Sequence, residues 1–319
     1  MRIPEELSDV IAKKSLSLPG LSRAAAELSS TYRNREFATP ALKTMEQRLA
    51  YLMVRMPATY AACWRALRES SKVLDGFEPK SMLDLGAGPG TATWAATEVF
   101  PSLQSVSLME RDGAMLAFGR ELMHPSQSSA RRNANWIQAD LSKELNVERA
   151  ELVMLSYVLG ELPGSVAERL VERAWSLTDK LLIVVEPGTR VGFEQVERIR
   201  TKMIANKAEI AAPCPHHELC PMAAAGDWCH FSQRLERTAE HRRMKQGKLG
   251  HEDEKFSYVA FTKVAAQRPE ARIVRHPLYR PKQVQLTLCT AEGLKQTTVT
   301  KSQGERYRAA KKADWGEGF

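Results

Sequence analysis

The spacing of hydrophobic positions divides the chain into a helical N-terminal part and a longer part in which strands alternate with helices. Residues 1–78 show only the three- and four-residue spacing of helices. The pattern predicts helices over Pro4–Leu18 and Pro40–Met56, and another that begins at Pro57 and ends near Gly76. We expect these residues to form an N-terminal helical domain without chemistry of its own.

From Lys80 onward, short apolar runs alternate with helical patterns, which is typical of a parallel sheet wrapped by helices. Predicted strands are Ser81–Leu85, Ser105–Met109, Asn135–Ala139, Glu151–Ser156 and Lys180–Val185. Predicted helices between them are Thr91–Phe100, Gly113–Met123, Val166–Leu177 and Val191–Lys207. Two later segments, Phe256–Val264 and Gln283–Cys289, have strand patterns that would complete the sheet. The fold class is therefore predicted to be α/β.

Two segments depart from this alternation. Ala211–Gly250 is rich in Cys, His, Pro and charge and has little periodicity, which predicts a cysteine-rich insertion in a sheet domain that spans 79–290. Residues 291–319 are basic and are expected to form a C-terminal tail.

The composition of the chain serves to exclude several classes of protein. Apolar residues make up 43% of the chain and charged residues 26%, as in globular proteins. The longest apolar run, Leu152–Gly160, is far shorter than the ~18–20 residues of a membrane span, so we expect no membrane contact. The start MRIPEELSDV lacks a signal pattern, which predicts a cytoplasmic protein. Five cysteines in such a chain argue against a disulfide scaffold.

The positive charge is confined to the C-terminal part of the chain. Residues 187–319 carry 24 Lys and Arg against 15 Asp and Glu, whereas residues 1–186 carry 22 against 23. Such an imbalance indicates either a surface that faces a polyanion or a solvated face that keeps the protein soluble.

The first predicted strand runs into DLGAGPG, Asp84 to Gly90, immediately before a predicted helix. Glycines here let the backbone approach a ligand closely, and the helix N-terminus adds partial positive charge. The next two strands end at Glu110 and Asp140, whose carboxylates can accept hydrogen bonds from ribose hydroxyls and from an adenine amino group. The pattern predicts a nucleotide-like cofactor site at this edge of the sheet.

This DxGxGxG loop, with an acid after each of the first three strands, resembles the class I S-adenosylmethionine-dependent methyltransferases, which have a Rossmann-like sheet. The resemblance implies bound S-adenosylmethionine. The implied cofactor-binding residues are Asp84, Gly86, Ala87, Gly88 and Gly90 around the methionine part, Glu110 at the ribose, Asp140 at the adenine and Tyr157 beside the methyl group. The sequence SYVLGEL after the fourth strand lacks the proline pair of amino-directed methyltransferases, so no catalytic residue is assigned.

Cysteines in the irregular segment indicate a metal site. Cys214, Cys220 and Cys229 follow the spacing C-x5-C-x8-C, and Cys289 comes 60 residues later. Thiolates suit either a structural zinc ion or an iron–sulfur cluster. The wide spacing favours the cluster, because zinc sites usually contain a close cysteine pair. Zinc remains open because further ligands could come from His216, His217 and His230, and reduced free thiols are the third alternative.

A methyltransferase-like domain with PCPHHELCP, DWCHFSQR, a late LCTAEG and a final KKADWGE resembles a more specific family. From about residue 30 to its end, the chain looks like a bacterial member of the methyltransferase-like proteins of the mitochondrial small ribosomal subunit. The resemblance implies assembly of the small ribosomal subunit, contact with ribosomal RNA and a 4Fe–4S cluster. The four implied ligands are Cys214, Cys220, Cys229 and Cys289.

Basic residues near aromatic residues predict where RNA would bind. In the C-terminal segment, Tyr307 and Trp315 could stack on unpaired bases while nearby cations neutralise phosphates. These cations are Lys295, Lys301, Arg306, Arg308, Lys311 and Lys312, and a second group consists of Arg234, Arg237, Arg242, Arg243, Lys245 and Lys248. The other interpretation is a solvated tail.

The sequence therefore favours a methyltransferase-fold RNA-binding protein with a role in small-subunit assembly. Three alternatives remain: an active S-adenosylmethionine-dependent rRNA methyltransferase, a zinc-stabilised RNA-binding protein and a redox iron–sulfur enzyme. The last is disfavoured because the C-x3-C-x2-C spacing of radical enzymes is missing.

Overall fold

The computed structural model describes residues 1–15, 21, 23–25, 27, 42, 44–237 and 249–319. Its N-terminal helices are α1 (Glu5–Ser15), α2 (Met45–Val54) and α3 (Met56–Ser71). A capping box between Thr44 and Gln47 begins α2, and Pro57 lies in the first turn of α3, where a missing N–H costs no hydrogen bond. The predicted helices are confirmed within these bounds, and their positions 16–18, 40, 41 and 43 lie outside the described residues.

The described residues form a mixed sheet of eight strands in the order β3–β2–β1–β4–β5–β8–β6, with β7 also paired to β8. The strands are β1 (Ser81–Leu85), β2 (Ser105–Glu110), β3 (Asn135–Gln138), β4 (Ala150–Ser156), β5 (Thr178–Pro187), β6 (Glu209–Ala212), β7 (Phe231–Glu236) and β8 (His251–Thr262). β1 to β5 are parallel, and β8 is antiparallel to its neighbours. An antiparallel strand inserted between the fifth and sixth strands is the topology of class I methyltransferases. The α/β prediction is thus confirmed.

Helices cover both faces of this sheet, which explains why its strands read as continuous apolar runs. They are α4 (Thr91–Val99), α5 (Gly113–Met123), α6 (Ser129–Arg132), α7 (Gly164–Leu177) and α8 (Arg190–Ala205), with a 3-10 turn at Leu159–Glu161. Leu152 and Met154 of β4 face a core that includes α3 and α4, while Val153 and Leu155 face a core that includes α7 and α8. The N-terminal helices therefore share a core with the sheet.

A second sheet follows, and it corrects two expectations. It contains β9 (Arg272–Ile273), β10 (Leu278–Arg280), β11 (Gln283–Thr290) and β12 (Gly293–Thr300), and α10 (Glu305–Lys312) packs on it after a 3-10 turn at Lys301–Gln303. Gln283–Cys289 therefore does not complete the first sheet, and residues 291–319 are folded rather than a tail. The reason is the alternation of Val284, Leu286 and Leu288, which bury one face against Ala310.

The cysteine-rich segment also contains more regular structure than its pattern predicts. The end of β6 begins the segment, β7 lies in its middle, and the short helix α9 (Pro221–Ala224) lies between Cys220 and Cys229. Both strands are short, and what defines them is pairing with β8, about 20 to 50 residues away along the chain. Residues 238–248 lie outside the described part. No helix among the described residues is long and apolar enough to span a membrane.

A buried cation joins the second sheet to the rest of the molecule. Arg272 of β9 is 2% exposed. Its Nη1 lies 3.0 Å from the Glu69 carboxylate of α3 and donates to the Gly316 carbonyl, and its Nε donates to the Pro213 carbonyl at 2.7 Å. Arg272 therefore links α3, the start of the cysteine loop and the C-terminal residues.

Replacing Arg272 should destabilise the fold strongly. Arg272→Met leaves Glu69 without one of its partners and two buried carbonyls without donors, so we expect a loss of about 3–5 kcal/mol in unfolding free energy. The control is Arg234→Met, which breaks an exposed pair with Asp253 and should cost less than about 1 kcal/mol. Urea unfolding of both variants tests this, and equal losses would contradict it.

Candidate functional site

The loop between β1 and α4 presents its backbone to one open side. Gly86, Gly88 and Gly90 all have positive φ angles, at 77°, 54° and 83°. A Cβ at Gly86 would lie 2.4 Å from the Val158 side chain, so packing requires glycine there. A Cβ at Gly88 would meet no atom within 4 Å among the described residues. Gly88 is thus the point at which a ligand can approach the backbone.

Glu110 holds this loop in place from the end of β2. One oxygen of its carboxylate accepts a hydrogen bond from the Gly88 N–H at 2.8 Å, and the other accepts from the Asp112 N–H at 2.8 Å. The N–H groups of Gly86 and Ala87 donate to the Met109 carbonyl, which fixes the first half of the loop. Each Glu110 oxygen keeps a lone pair for a ribose hydroxyl, as the predicted role requires.

The other two predicted acids have different environments. Asp84 is fully buried, and its Oδ2 accepts a hydrogen bond from the Thr93 hydroxyl at 3.0 Å, while its Oδ1 has no partner among the described residues. Burial raises the pKa of Asp84 to about 7. Asp140 accepts two hydrogen bonds from Ser142, which lower its pKa. Asp84 thus lies beneath the loop, and Asp140 lies at the open edge.

Tyr157 lies directly after β4 with a left-handed φ of 57°, which is rare for an aromatic residue. Its hydroxyl donates to Glu254 of β8 at 3.2 Å, and Arg55, between α2 and α3, lies 3.5 Å from the same carboxylate oxygen. Cys63 of α3 is fully buried beside Ser156 and Asp84. The N-terminal helices therefore contact the predicted methyl-donor end of the site, which the helical pattern alone did not indicate.

The four predicted cluster ligands line one pocket between the two sheets. Cys214, Cys220 and Cys229 come from the loop between β6 and β7, and Cys289 comes from β11. Burial and the neighbouring cysteines raise the pKa of Cys289 to about 12 and that of Cys229 well above its usual range. A metal that binds these thiolates must therefore displace their protons.

Two further side chains of this pocket face the thiols. Arg200 of α8 donates from Nε to the Cys214 sulfur at 3.3 Å, and its Nη2 donates to two carbonyls of the loop. The Nε2 of His216 lies 3.4 Å from the Cys289 sulfur, and the buried Nδ1 of His216 has no partner among the described residues. His217 and His230 do not line the pocket, and the stacked ring of Trp228 packs against His230.

No group of three or more His, Cys, Asp or Glu side chains in the described part is close enough to hold a metal ion as it stands. The four cysteines share a pocket rather than a single coordination point. A metal-binding role of the cysteine-rich insertion is therefore not shown by the geometry.

The predicted RNA-binding residues are only partly brought together. Trp315 is buried between His230 and His276, so it cannot stack on a base. Lys295 and Arg308 pair with nearby glutamates, whereas Lys301, Arg306, Lys311 and Lys312 are exposed without an acidic partner among the described residues. Arg234 and Arg237 pair with acids of β8. Arg242, Arg243, Lys245 and Lys248 lie outside the described residues.

Comparison with known proteins identifies the family. Residues 45–319 match the sequence profile of the family described as mitochondrial small ribosomal subunit Rsm22. The matched range contains the glycine loop, the cysteine loop and the second sheet. The chain belongs to the Rsm22 family. The resemblance stated from the cysteine segments is therefore confirmed.

Named relatives of this Rsm22-family chain come from two eukaryotes. The human ribosome assembly protein METTL17, mitochondrial, is 28% identical over 345 residues, which cover 98% of this chain and 73% of that protein. The Rsm22-cox11 tandem protein 2, mitochondrial, of Schizosaccharomyces pombe is 28% identical over 339 residues, which cover 86% of this chain and 43% of that protein. The chain thus spans less than half of the yeast relative.

One of the solved structures to which the chain is similar is magnesium protoporphyrin IX methyltransferase from Synechocystis PCC 6803 with bound S-adenosylmethionine. It has a TM-score of 0.40 and 10% identity, with 78% of this chain and 99% of that chain covered. A TM-score and a sequence identity this low do not indicate what the Rsm22-family chain binds.

These relatives overturn one expectation. The predicted cytoplasmic location is wrong, because the family and both relatives are described as mitochondrial. The absence of a recognisable signal pattern was a weak basis for that prediction. The bacterial origin in the stated resemblance also finds no support, since the relatives above are human and yeast proteins.

Asp84 should make stability depend on pH. Its folded pKa of about 7 exceeds the ordinary Asp value of about 3.9, so the folded state alone holds the proton between these values. Stability should therefore fall as pH rises from about 4 to about 7, by up to about 4 kcal/mol. Asp84→Asn removes this loss. Chemical unfolding of both proteins across this range tests it, and parallel pH profiles would contradict it.

Proposed function

We propose that this protein is an S-adenosylmethionine-binding, iron–sulfur-containing methyltransferase-like protein that binds ribosomal RNA and acts in assembly of the small ribosomal subunit. The family match supports this proposal because it covers the glycine loop, the cysteines and the second sheet together. The related human protein is named as a mitochondrial ribosome assembly protein, so we take the mitochondrial small subunit as the assembly partner.

The convergence of four distant cysteines on one pocket carries the proposal. Cys214 and Cys289 are 75 positions apart and belong to a loop and a strand of different sheets, yet both line the pocket with Cys220 and Cys229. Arg200 places a positive charge beside the Cys214 sulfur, and this charge partly opposes the rise that burial causes in the pKa of Cys220 and Cys289. A set of soft ligands with a nearby cation suits a bound metal centre.

The arrangement favours an iron–sulfur cluster over a zinc ion. Zinc sites usually contain a close cysteine pair, and the spacing C-x5-C-x8-C of Cys214, Cys220 and Cys229 lacks one. In a 4Fe–4S cluster each thiolate binds a different iron, so the sulfurs surround a cavity. The implied ligands are Cys214, Cys220, Cys229 and Cys289, and the cluster would join the loop to β11. Its binding energy would then stabilise the packing of the two sheets.

The glycine loop supports binding of S-adenosylmethionine. Gly88 leaves open space beside the backbone, and Glu110 retains acceptor capacity for ribose hydroxyls. The cofactor would supply an electrophilic methyl group beside Tyr157. We favour binding without methyl transfer, because the Tyr157 hydroxyl is engaged by Glu254 and the segment SYVLGEL lacks the proline pair of amino-directed methyltransferases. An active rRNA methyltransferase remains the alternative.

Cysteine variants should lose iron and function together. Anaerobically purified protein should be brown and contain about four irons and about four sulfides per chain. Changing any one of the four pocket cysteines to Ser should lose the iron and lower the amount of assembled small subunits in cells that depend on the variant. Metal analysis and gradient sedimentation of ribosomal subunits measure the two effects.

Cys63→Ser is the matched control, because Cys63 is fully buried in α3 and does not line the pocket. It should keep the iron and the assembled subunits. One zinc per chain without iron would contradict the cluster. Normal small-subunit levels in cells that lack the protein would contradict the assembly role.

Gly88→Arg should abolish binding of S-adenosylmethionine while the fold survives, because the new side chain extends into the open side of the loop. Gly76→Arg is the control. Gly76 has a similar φ of 60° and equally open surroundings, so its backbone strain should match. Calorimetric titration with the cofactor measures the affinities, and undiminished affinity of a folded Gly88→Arg variant would contradict this site.

A further inference from the structure

Three basic residues meet at one corner of the second sheet. Arg280 ends β10 opposite Gln283 of β11, which in turn lies opposite Thr300 of β12. The N–H of Lys301 donates to the carbonyl of Lys282 at 2.8 Å, which joins the tip of one hairpin to the end of the next strand. We call Arg280, Lys282 and Lys301 the basic corner.

The charges of the basic corner are not neutralised. Its three side chains are exposed, and none forms an ion pair with a described carboxylate. By contrast, Lys295 near the other end of β12 pairs with Glu292 at 3.0 Å. Lys311 and Lys312 of α10 add two further exposed positive charges nearby in sequence. The corner therefore carries positive charge that a polyanion can neutralise.

The hairpin tip contains a lysine at a position whose left-handed backbone conformation disfavours this residue. Pro281 and Lys282 form a two-residue tip, and Lys282 has a left-handed φ of 60°. After a proline, this turn position usually holds Gly or Asn. A long cationic side chain at such a position carries a conformational cost, and residues of this kind cluster at sites with a function. The strain is thus a second observation that points to the corner.

Exposed apolar groups adjoin these charges. Leu278 and Tyr279 of β10 are each 57% exposed, although both are large. The Tyr279 hydroxyl donates to the Ala313 carbonyl at 2.9 Å, which holds the ring in place at the surface. Tyr279 and Arg280 are consecutive on β10 and therefore face opposite sides of the strand. A single-stranded nucleic acid that passes over this end of β10 can stack a base on the ring and place its phosphates on the cations.

We propose that the basic corner, with Tyr279, is the surface that holds a single-stranded segment of ribosomal RNA. This inference rests on the proposed function and replaces Trp315, which is buried, as the stacking residue. β11 runs from Gln283 at the corner to Cys289 at the pocket, a distance of about 20 Å at ~3.4 Å per residue. The cysteine pocket therefore anchors the same strand that presents the corner.

Salt dependence tests the corner. The variant Arg280→Gln, Lys282→Asn, Lys301→Gln removes three charges, with Asn chosen because it tolerates a left-handed backbone. The control Lys13→Gln, Lys143→Gln, Arg169→Gln removes three exposed charges elsewhere. Fluorescence anisotropy with labelled oligouridylate and transcribed small-subunit rRNA measures affinity against salt. The log–log slope should fall by about 2 in the corner variant, at ~0.7 per phosphate contact, and by much less in the control.

A second pair of variants tests the stacking role. Tyr279→Ala should weaken binding roughly tenfold without changing the salt slope, whereas Tyr279→Phe, which keeps the ring, should bind almost normally. Thermal unfolding checks that each variant remains folded.

The outcomes distinguish the RNA-binding function from the assignment of the basic corner as its surface. A wild-type protein that binds neither RNA would overturn the RNA-binding function together with the corner. Normal wild-type binding with an unchanged slope in the corner variant, or equal changes in both triple variants, would overturn the corner alone. The corner would also be overturned if its variant binds RNA normally but fails to support small-subunit assembly, because its partner would then be an acidic protein surface.

Discussion

The burial of one positive charge, that of Arg272, constrains how the parts of this protein fit together. A buried guanidinium is stabilised when its N–H groups find acceptors. Those of the Arg272 Nε and Nη1 come from α3, from the residue before Cys214 and from Gly316, while Nη2 has no partner among the described residues. Each acceptor belongs to a different region of the chain. The helical part, the cysteine loop and the second sheet must therefore pack together for this charge to be satisfied.

The same packing connects the candidate cofactor site at the glycine loop with the cysteine pocket. Helix α3 contacts Ser156 at the end of β4 through Cys63 and the second sheet through Glu69, so it extends from the candidate cofactor site to the second sheet. The pocket lies between the first sheet and β11, and β11 continues to the exposed basic corner. A metal centre in the pocket would thus stabilise a connection between the cofactor fold and an RNA-binding surface. This account explains why the cysteines lie so far apart in the sequence.

The hydrophobic pattern predicted individual strands and helices. It could not predict contacts between residues that are far apart in the sequence. The first five strands and their helices were predictable because short apolar runs alternate regularly with clear helical periods. The second sheet was missed because β9 and β10 are two and three residues long and exist through pairing with β11. The burial of Trp315 depends on His230 and His276, which no local pattern links to it. Residue type and spacing indicated that the four cysteines belong together, and they do line one pocket, but the contacts of Arg200 and Arg272 could be known only from the fold.

The central claim is that the pocket holds an iron–sulfur cluster. X-ray diffraction from anaerobically grown crystals, recorded at the iron and zinc absorption edges, tests it most directly. The account predicts compact anomalous density at the iron edge inside the pocket, with density continuous to the sulfurs of Cys214, Cys220, Cys229 and Cys289. A single peak specific to the zinc edge, or four separate thiols around a pocket without anomalous density, would contradict it.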